Sequence, residues 1–246
     1  MKPVTVSTTA AAFAALLFSG PAACRKSESH SQGPPPPGKA VEGKTHILAA
    51  GAEALQAEAP INAIHQHVCG FHFYNGNMDR QLRAHHYCSH LNDEFLQCVI
   101  YDSDKKDAKL IGIEYIISEK TFKTLPGDEK KYWHSHKYEV LSGQLIAPGV
   151  PEVAEKEVMK KLVSTYGKTW HTWQVDRGDA LPLGTPKLMM GFTEDGQGKE
   201  ALVLERDRLL GTDTSAKKAS RAGLAPPAVQ PGADAWRHGN TFQIPD

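Results

Sequence analysis

A chain of 246 residues, 40% apolar and 23% charged, with 28 Lys and Arg balanced by 28 Asp and Glu, is long enough for one globular domain with appendages. That composition excludes a disordered chain, a collagen and a multi-span membrane protein. The neutral balance, with no basic stretch interleaved with aromatics, leaves no electrostatic footprint for nucleic acid.

Residues 1–23 read as an export signal, with Lys2 as the positive end, the apolar run Ala10–Phe18, and small residues Gly20, Ala22 and Ala23 ahead of Cys24. The run is far short of the roughly 20 residues that cross a hydrocarbon core. A cysteine after two alanines resembles the lipobox of bacterial lipoproteins, although Pro21 stands where that pattern has an aliphatic residue. Cys24 is therefore the expected lipid attachment point of a protein anchored in the cell envelope; the alternative is a secreted or periplasmic chain. Residues 24–45, with prolines 34–37, form a Pro-rich linker of extended polyproline type. Residues 46–210 are expected to be the single folded domain. Residues 211–246, rich in Gly, Pro, Ala and Ser until Trp236 and Phe242, are expected to be a tail along its surface.

Within the domain, His46–Ala59 has helical spacing and is closed by Pro60. Arg83–Leu91, Phe95–Tyr101 and Leu110–Ile117 are rich in aromatic and β-branched residues. Polar breaks at 92–94 and 102–109 separate them, which predicts an antiparallel meander. Tyr138–Ile146 is a fourth expected strand, interrupted at Ser142-Gly143. Pro151 opens a helix with Ala154, Val158 and Leu162 on one stripe and Met159, Val163 and Tyr166 on the next, stopped by Gly167. Its lysines suit either a lipid contact face or the solvated side of a core-packed helix. Strands at His171–Val175 and Leu188–Phe192 and a charged helix at Lys199–Leu210 complete an α+β fold, a mainly antiparallel sheet with a few packed helices.

Histidine is the residue that departs from expectation: twelve are present, ten of them between His46 and His171. The segments containing His67 and Cys69, and His86, Cys88 and His90, carry metal-binding side chains at alternate positions. On a strand these share one face at a spacing of about 6.5–7 Å. His134 and His136 repeat the spacing, and His72, His85 and His171 lie nearby in sequence. His67, Cys69, His86, Cys88, His90, His134 and His136 are the candidate ligands of zinc or another transition metal. The competing reading is a set of half-buried packing histidines with ring nitrogens bonded to backbone. Cys88 has three open fates: metal ligand, disulfide partner of Cys98 across a hairpin centred near Asp93, or buried thiol. Glu114 and Glu139, among apolar residues, are candidate general bases or ordinary paired carboxylates. Neither a Gly-x-Ser-x-Gly elbow nor a P-loop is present.

Several longer stretches carry a family resemblance. His85-His-Tyr-Cys-Ser-His-Leu-Asn92, Gln97-Cys-Val-Ile-Tyr-Asp-Ser103, Leu110-Ile-Gly-Ile-Glu-Tyr115, Trp133-His-Ser-His136, Trp173-Gln-Val-Asp-Arg-Gly-Asp179 and Pro186-Lys-Leu-Met-Met190 are similar to the oil body-associated protein family of plants, whose bacterial and fungal relatives share a domain of unknown function. The resemblance implies association with lipid droplets and supplies no catalytic residues. The expected function is a non-enzymatic accessory protein at a lipid or membrane surface reached through the N-terminus. A transition-metal-binding protein or metal-dependent enzyme is the alternative.

Overall fold

The computed structural model describes residues 31–245. The expected signal at 1–23, Cys24 and the first part of the linker lie outside the described residues. Seven strands run in chain order: β1 (Gln66–Tyr74), β2 (Asn77–Asn92), β3 (Phe95–Tyr101), β4 (Leu110–Ser118), β5 (His134–Ser135), β6 (Thr165–His171) and β7 (Lys187–Met190). The helices are α1 (Gly43–Leu55), α2 (Ala59–Asn62), α3 (Glu119–Lys123), α4 (Lys137–Leu141), α5 (Glu152–Leu162), α6 (Glu200–Leu210) and α7 (Thr214–Ser220).

The fold is α+β with an antiparallel sheet, as the alternating segments predict, but the sheet closes. The hydrogen-bonded order is β4-β3-β2-β1-β7-β6-β5, and a further β4–β6 pairing closes β1, β2, β3, β4, β6 and β7 into a barrel, with β5 attached to β6. Closure removes the edges that an open meander would expose. The β1–β2 hairpin turns at Asn75-Gly76, where Gly76 adopts φ +84°, a conformation open to glycine at no steric cost.

Register fixes what points inward. Val68 faces His86, Cys98 faces Glu114, Gly112 faces His171, and Glu114 faces Thr169. One end of the interior is filled by Tyr74, Leu82, Ala84, Ile100 and Met189, the other by Cys88, Leu96, Cys98 and Ile116. Between these apolar layers lies a polar one. On the outer face, Phe71 and Phe73 pack with Phe192, and with Leu202 and Val203 of α6 and Trp236 and Phe242 of the C-terminal segment.

Three expected elements are corrected. Tyr138–Ile146 is not a strand: α4 occupies its first half, and Gly143 turns the chain at φ +81° where a Cβ would lie 2.3 Å from the Thr214 carbonyl. Only Ile146 makes a β-bridge, to Cys69. Gly167 does not stop the helix that Pro151 opens. That helix, α5, ends at Leu162, packed into the core through Met159 and Leu162. Gly167 instead sits inside β6, whose β-prone Thr165, Tyr166, Thr169 and Trp170 carry the strand only to His171. The expected strand at His171–Val175 is therefore the exit from β6, which passes into a short 3-10 turn at Val175–Arg177.

Cys88 and Cys98 face each other across β2 and β3 and form a disulfide with a sequence separation of 10. Closing a loop of that length stabilises by about 2–3 kcal/mol in the chain-entropy description. A Cys88→Ser, Cys98→Ser variant should lose about that much in urea unfolding while keeping its far-UV circular dichroism. An unchanged midpoint would contradict the assignment.

Candidate functional site

The pleat divides the seven sequence-predicted ligands. His67 and Cys69 pair in register with Tyr87 and His85 on the face away from the barrel interior. There His67 Nε2 lies 3.1 Å from His85 Nδ1, and His85 Nε2 lies 3.8 Å from Cys69 Sγ. Burial pushes the Cys69 thiol up to about 11, so it behaves as an inert buried thiol. Cys88 is committed to the disulfide and has no thiolate to offer. His90 stands exposed near the end of β2, bonded to the Gln66 side chain at 3.2 Å. Only His86, His134 and His136 meet, inside the barrel, and His72, His171, Glu114 and Glu139 join them there.

Glu114 is the hub of this inner cluster. Its Oε2 is 2.7 Å from His86 Nε2 and 3.9 Å from His72 Nε2. Its Oε1 is 3.1 Å from His136 Nε2 and 3.5 Å from His134 Nε2. His134 Nε2 also lies 3.9 Å from Glu139 Oε2, and His72 Nδ1 lies 3.1 Å from His171 Nε2. All seven side chains are buried. Burial alone would raise the Glu114 carboxyl, but the imidazoles of His86 and His136 outweigh it and hold the group well below the usual carboxylate range. Glu139 goes the other way: burial, then the Glu114 charge, push it well above that range. Burial lowers His134 and His171 to about 3 and His72 well below the ordinary imidazole value.

Glycines make the room. A Cβ on Gly167 would lie 1.9 Å from Glu114 Oε1, and one on Gly191 2.7 Å from Glu139 Oε2. Beside the cluster is a small cavity of about 10 Å³ lined by His72, His86, Glu114, His136 and Glu139 together with aliphatic side chains. That is the space of about one water-sized guest.

The His134-Ser135-His136 arm is held from both sides. On one side β5 pairs with Gly167 and Tyr166 of β6. On the other, the buried Asp234 carboxylate accepts from the Ser135 N–H at 2.9 Å and the Ser135 hydroxyl at 2.6 Å. Asp234 is the only non-glycine among the described residues with positive φ, at +51°. Downstream, the Arg221 guanidinium donates to the carbonyls of Val140 and Leu145, and Arg206 donates to that of Gln144. These two buried arginines fix the segment that carries Glu139.

Two ligand sets lie within 4.8 Å: His72, Glu114 and His134, and His134, His136 and Glu139. Imidazole nitrogens with a carboxylate oxygen suit zinc, iron, copper or nickel rather than calcium or magnesium.

Residues 58–225 match the family model described as "Protein of unknown function (DUF1264)". The chain is 47% identical over 201 residues to oil body-associated protein 1B of Arabidopsis thaliana, covering 82% of this chain and 83% of the relative. It is 45% identical over 210 residues to oil body-associated protein 1A of Zea mays, with 85% and 88% covered. To protein 2C of Arabidopsis thaliana it is 46% identical over 213 residues, with 85% and 90% covered. The chain belongs to the oil body-associated protein family. No solved structure matches it.

Two outcomes follow for the arms of this region. Replacing Asp234 by Ala strands the buried Ser135 N–H and should cost about 1–3 kcal/mol in chemical unfolding; a neutral effect would show that the arm holds itself. His67, lowered by burial to about 4, stays neutral in the fold while an unfolded imidazole protonates near 6.5. The unfolded state therefore binds more protons between those values, and stability falls as pH drops from about 6.5 toward 4. His67→Gln should make that part of the stability profile less steep by the share of one histidine, the other buried imidazoles supplying the rest, and the His67 ring resonance should not titrate above pH 5.

Proposed function

We propose that this chain is a non-enzymatic accessory protein that works at the surface of a lipid body. Two things support the reading: the relatives carry the name oil body-associated protein, and the structure has a suitable contact element. Helix α1 buries none of its residues. Its Ile47, Leu48 and Leu55 are 74%, 64% and 88% exposed, and with Gly51 they fall on one stripe at helical spacing. Val41 before it and Ile61 in α2 add further exposed aliphatic surface. No helix of the described residues is long and apolar enough to cross a membrane, so this stripe would lie in the interfacial plane. By contrast α5, whose lysines also suited a lipid surface, has its apolar side packed into the core.

The exposed stripe of α1 is the observation that carries the proposal. Acylation at Cys24 in a cell envelope would serve the same attachment from the N-terminal side, and intact-mass measurement of the mature protein decides it. The direct test is flotation with a triacylglycerol emulsion coated with phosphatidylcholine. The parent should float with the emulsion. An Ile47→Ser, Leu48→Ser, Leu55→Ser variant, with unchanged thermal stability, should bind at least about tenfold more weakly, since each large aliphatic returned to water is worth about 1.5–3 kcal/mol. Equal flotation of the two proteins would remove α1 as the contact, and no flotation of either would remove the lipid-surface reading.

A further inference from the structure

The inner cluster does not close its own hydrogen-bond accounting. The Thr165 hydroxyl donates to the Leu162 carbonyl at 2.7 Å, so toward His136 Nδ1, 2.8 Å away, it can only accept. His136 Nδ1 must therefore carry the proton. The Nε2 that faces Glu114 Oε1 at 3.1 Å then either carries a second proton, making the ring an imidazolium, or presents a bare lone pair that needs a metal cation beside the carboxylate. Both ring nitrogens of His86 and both of His134 lack a hydrogen-bond partner among the described residues. His86 Nε2 lies 2.7 Å from Glu114 Oε2, the shortest approach of any imidazole to that carboxylate. Glu139 Oε2 is likewise unpartnered. Buried polar atoms are paired in the great majority of native structures; here the orphans of His86 and Glu139 line one small cavity, and His134 Nε2 stands beside it, 3.5 Å from Glu114 Oε1, an arrangement suited to a positive guest.

We propose that the barrel interior is a mononuclear transition-metal site of the zinc class, with His72, Glu114 and His134 as its core ligands and His86 or His136 as the fourth. The donor atoms of the core set lie within 4.8 Å of one another, and bonds of about 2.0–2.2 Å to one ion require them to draw somewhat closer. Outer partners of the kind that orient metal-bound imidazoles are in place. His171 lies beside His72 Nδ1, Thr165 beside His136 Nδ1, and Asp234 fixes the backbone between His134 and His136. With apolar layers at both ends of the barrel, the ion is structural and tethers β1, β4 and β5 through their side chains.

The test is metal analysis of the full chain, purified without chelator and dialysed with Zn²⁺, followed by thermal unfolding with and without Zn²⁺ and by Co²⁺ absorption spectroscopy. The parent and a His90→Ala control should each retain about one ion per chain and melt several degrees higher with zinc. His134→Ala should lose the ion. Glu114→Gln, which removes a buried charge and is expected to fold, should lose both the zinc-dependent melting shift and the visible Co²⁺ bands. Metal absent from the folded parent would overturn the proposal and leave a protonated imidazole as the cation beside Glu114. Metal held equally by the parent and by Glu114→Gln and His134→Ala would also overturn it.

Discussion

An ionised carboxylate sealed inside a protein costs several kcal/mol unless nearby groups compensate it, and Glu114 is that group at the centre of this barrel. Its two oxygens draw the Nε2 atoms of four histidines from β1, β2, β5 and the residue that opens α4. Much of the surrounding architecture serves that convergence. Gly167 and Gly191 stay without side chains because a Cβ would strike the two carboxylates. The β4–β6 pairing that closes the barrel is also the one that sets Glu114 opposite Thr169 and puts Gly167 beneath it. The pairing that closes the barrel is thus also the one that completes the polar layer.

A polar layer between two apolar ones must be positioned from outside, because polar contacts this dense are costly when partly satisfied. The positioning comes from sequence-distant elements. Arg206 in α6 and Arg221 after α7 reach in to hold the carbonyls of the segment 140–145, and Arg221 is balanced by the buried Glu155 of α5 at 3.3 Å. Asp234 completes the set from a segment beyond the matched family region. The exposed aliphatic stripe of α1, in contrast, is no part of this packing: α1 has no buried residue. Substitutions on that stripe and in the interior cluster can therefore be made independently of each other.

How far the residues revealed this depends on whether the signal was local. The strands from β2 to β4 and the helices α5 and α6 follow from alternation and helical spacing. The barrel does not, because closure is a pairing between β4 and β6, far apart in the chain. The histidine rows signalled chemistry but not its membership. Alternate positions share a face, yet the face of His67 and Cys69 is the opposite of the face of His86, which only the β1–β2 register decides. His86, His134 and His136 were legible, and so was the Cys88–Cys98 option. His72 stood in the same strand as Cys69 but on the other face. Glu114 could be picked out as a carboxylate in an apolar strand, without any sign of its four partners. Asp234 had no local signal, since its role rests on a left-handed backbone that holds it beside Ser135.

Anomalous diffraction from crystals of the full chain grown with Zn²⁺ and without chelator, collected on both sides of the zinc absorption edge, reads the occupant of the barrel interior. A single anomalous peak is expected inside the barrel, within bonding distance of Glu114 and the ring nitrogens of His72 and His134. An interior with no peak, and with a hydrogen-bonded imidazolium against Glu114 in its place, would contradict the metal site.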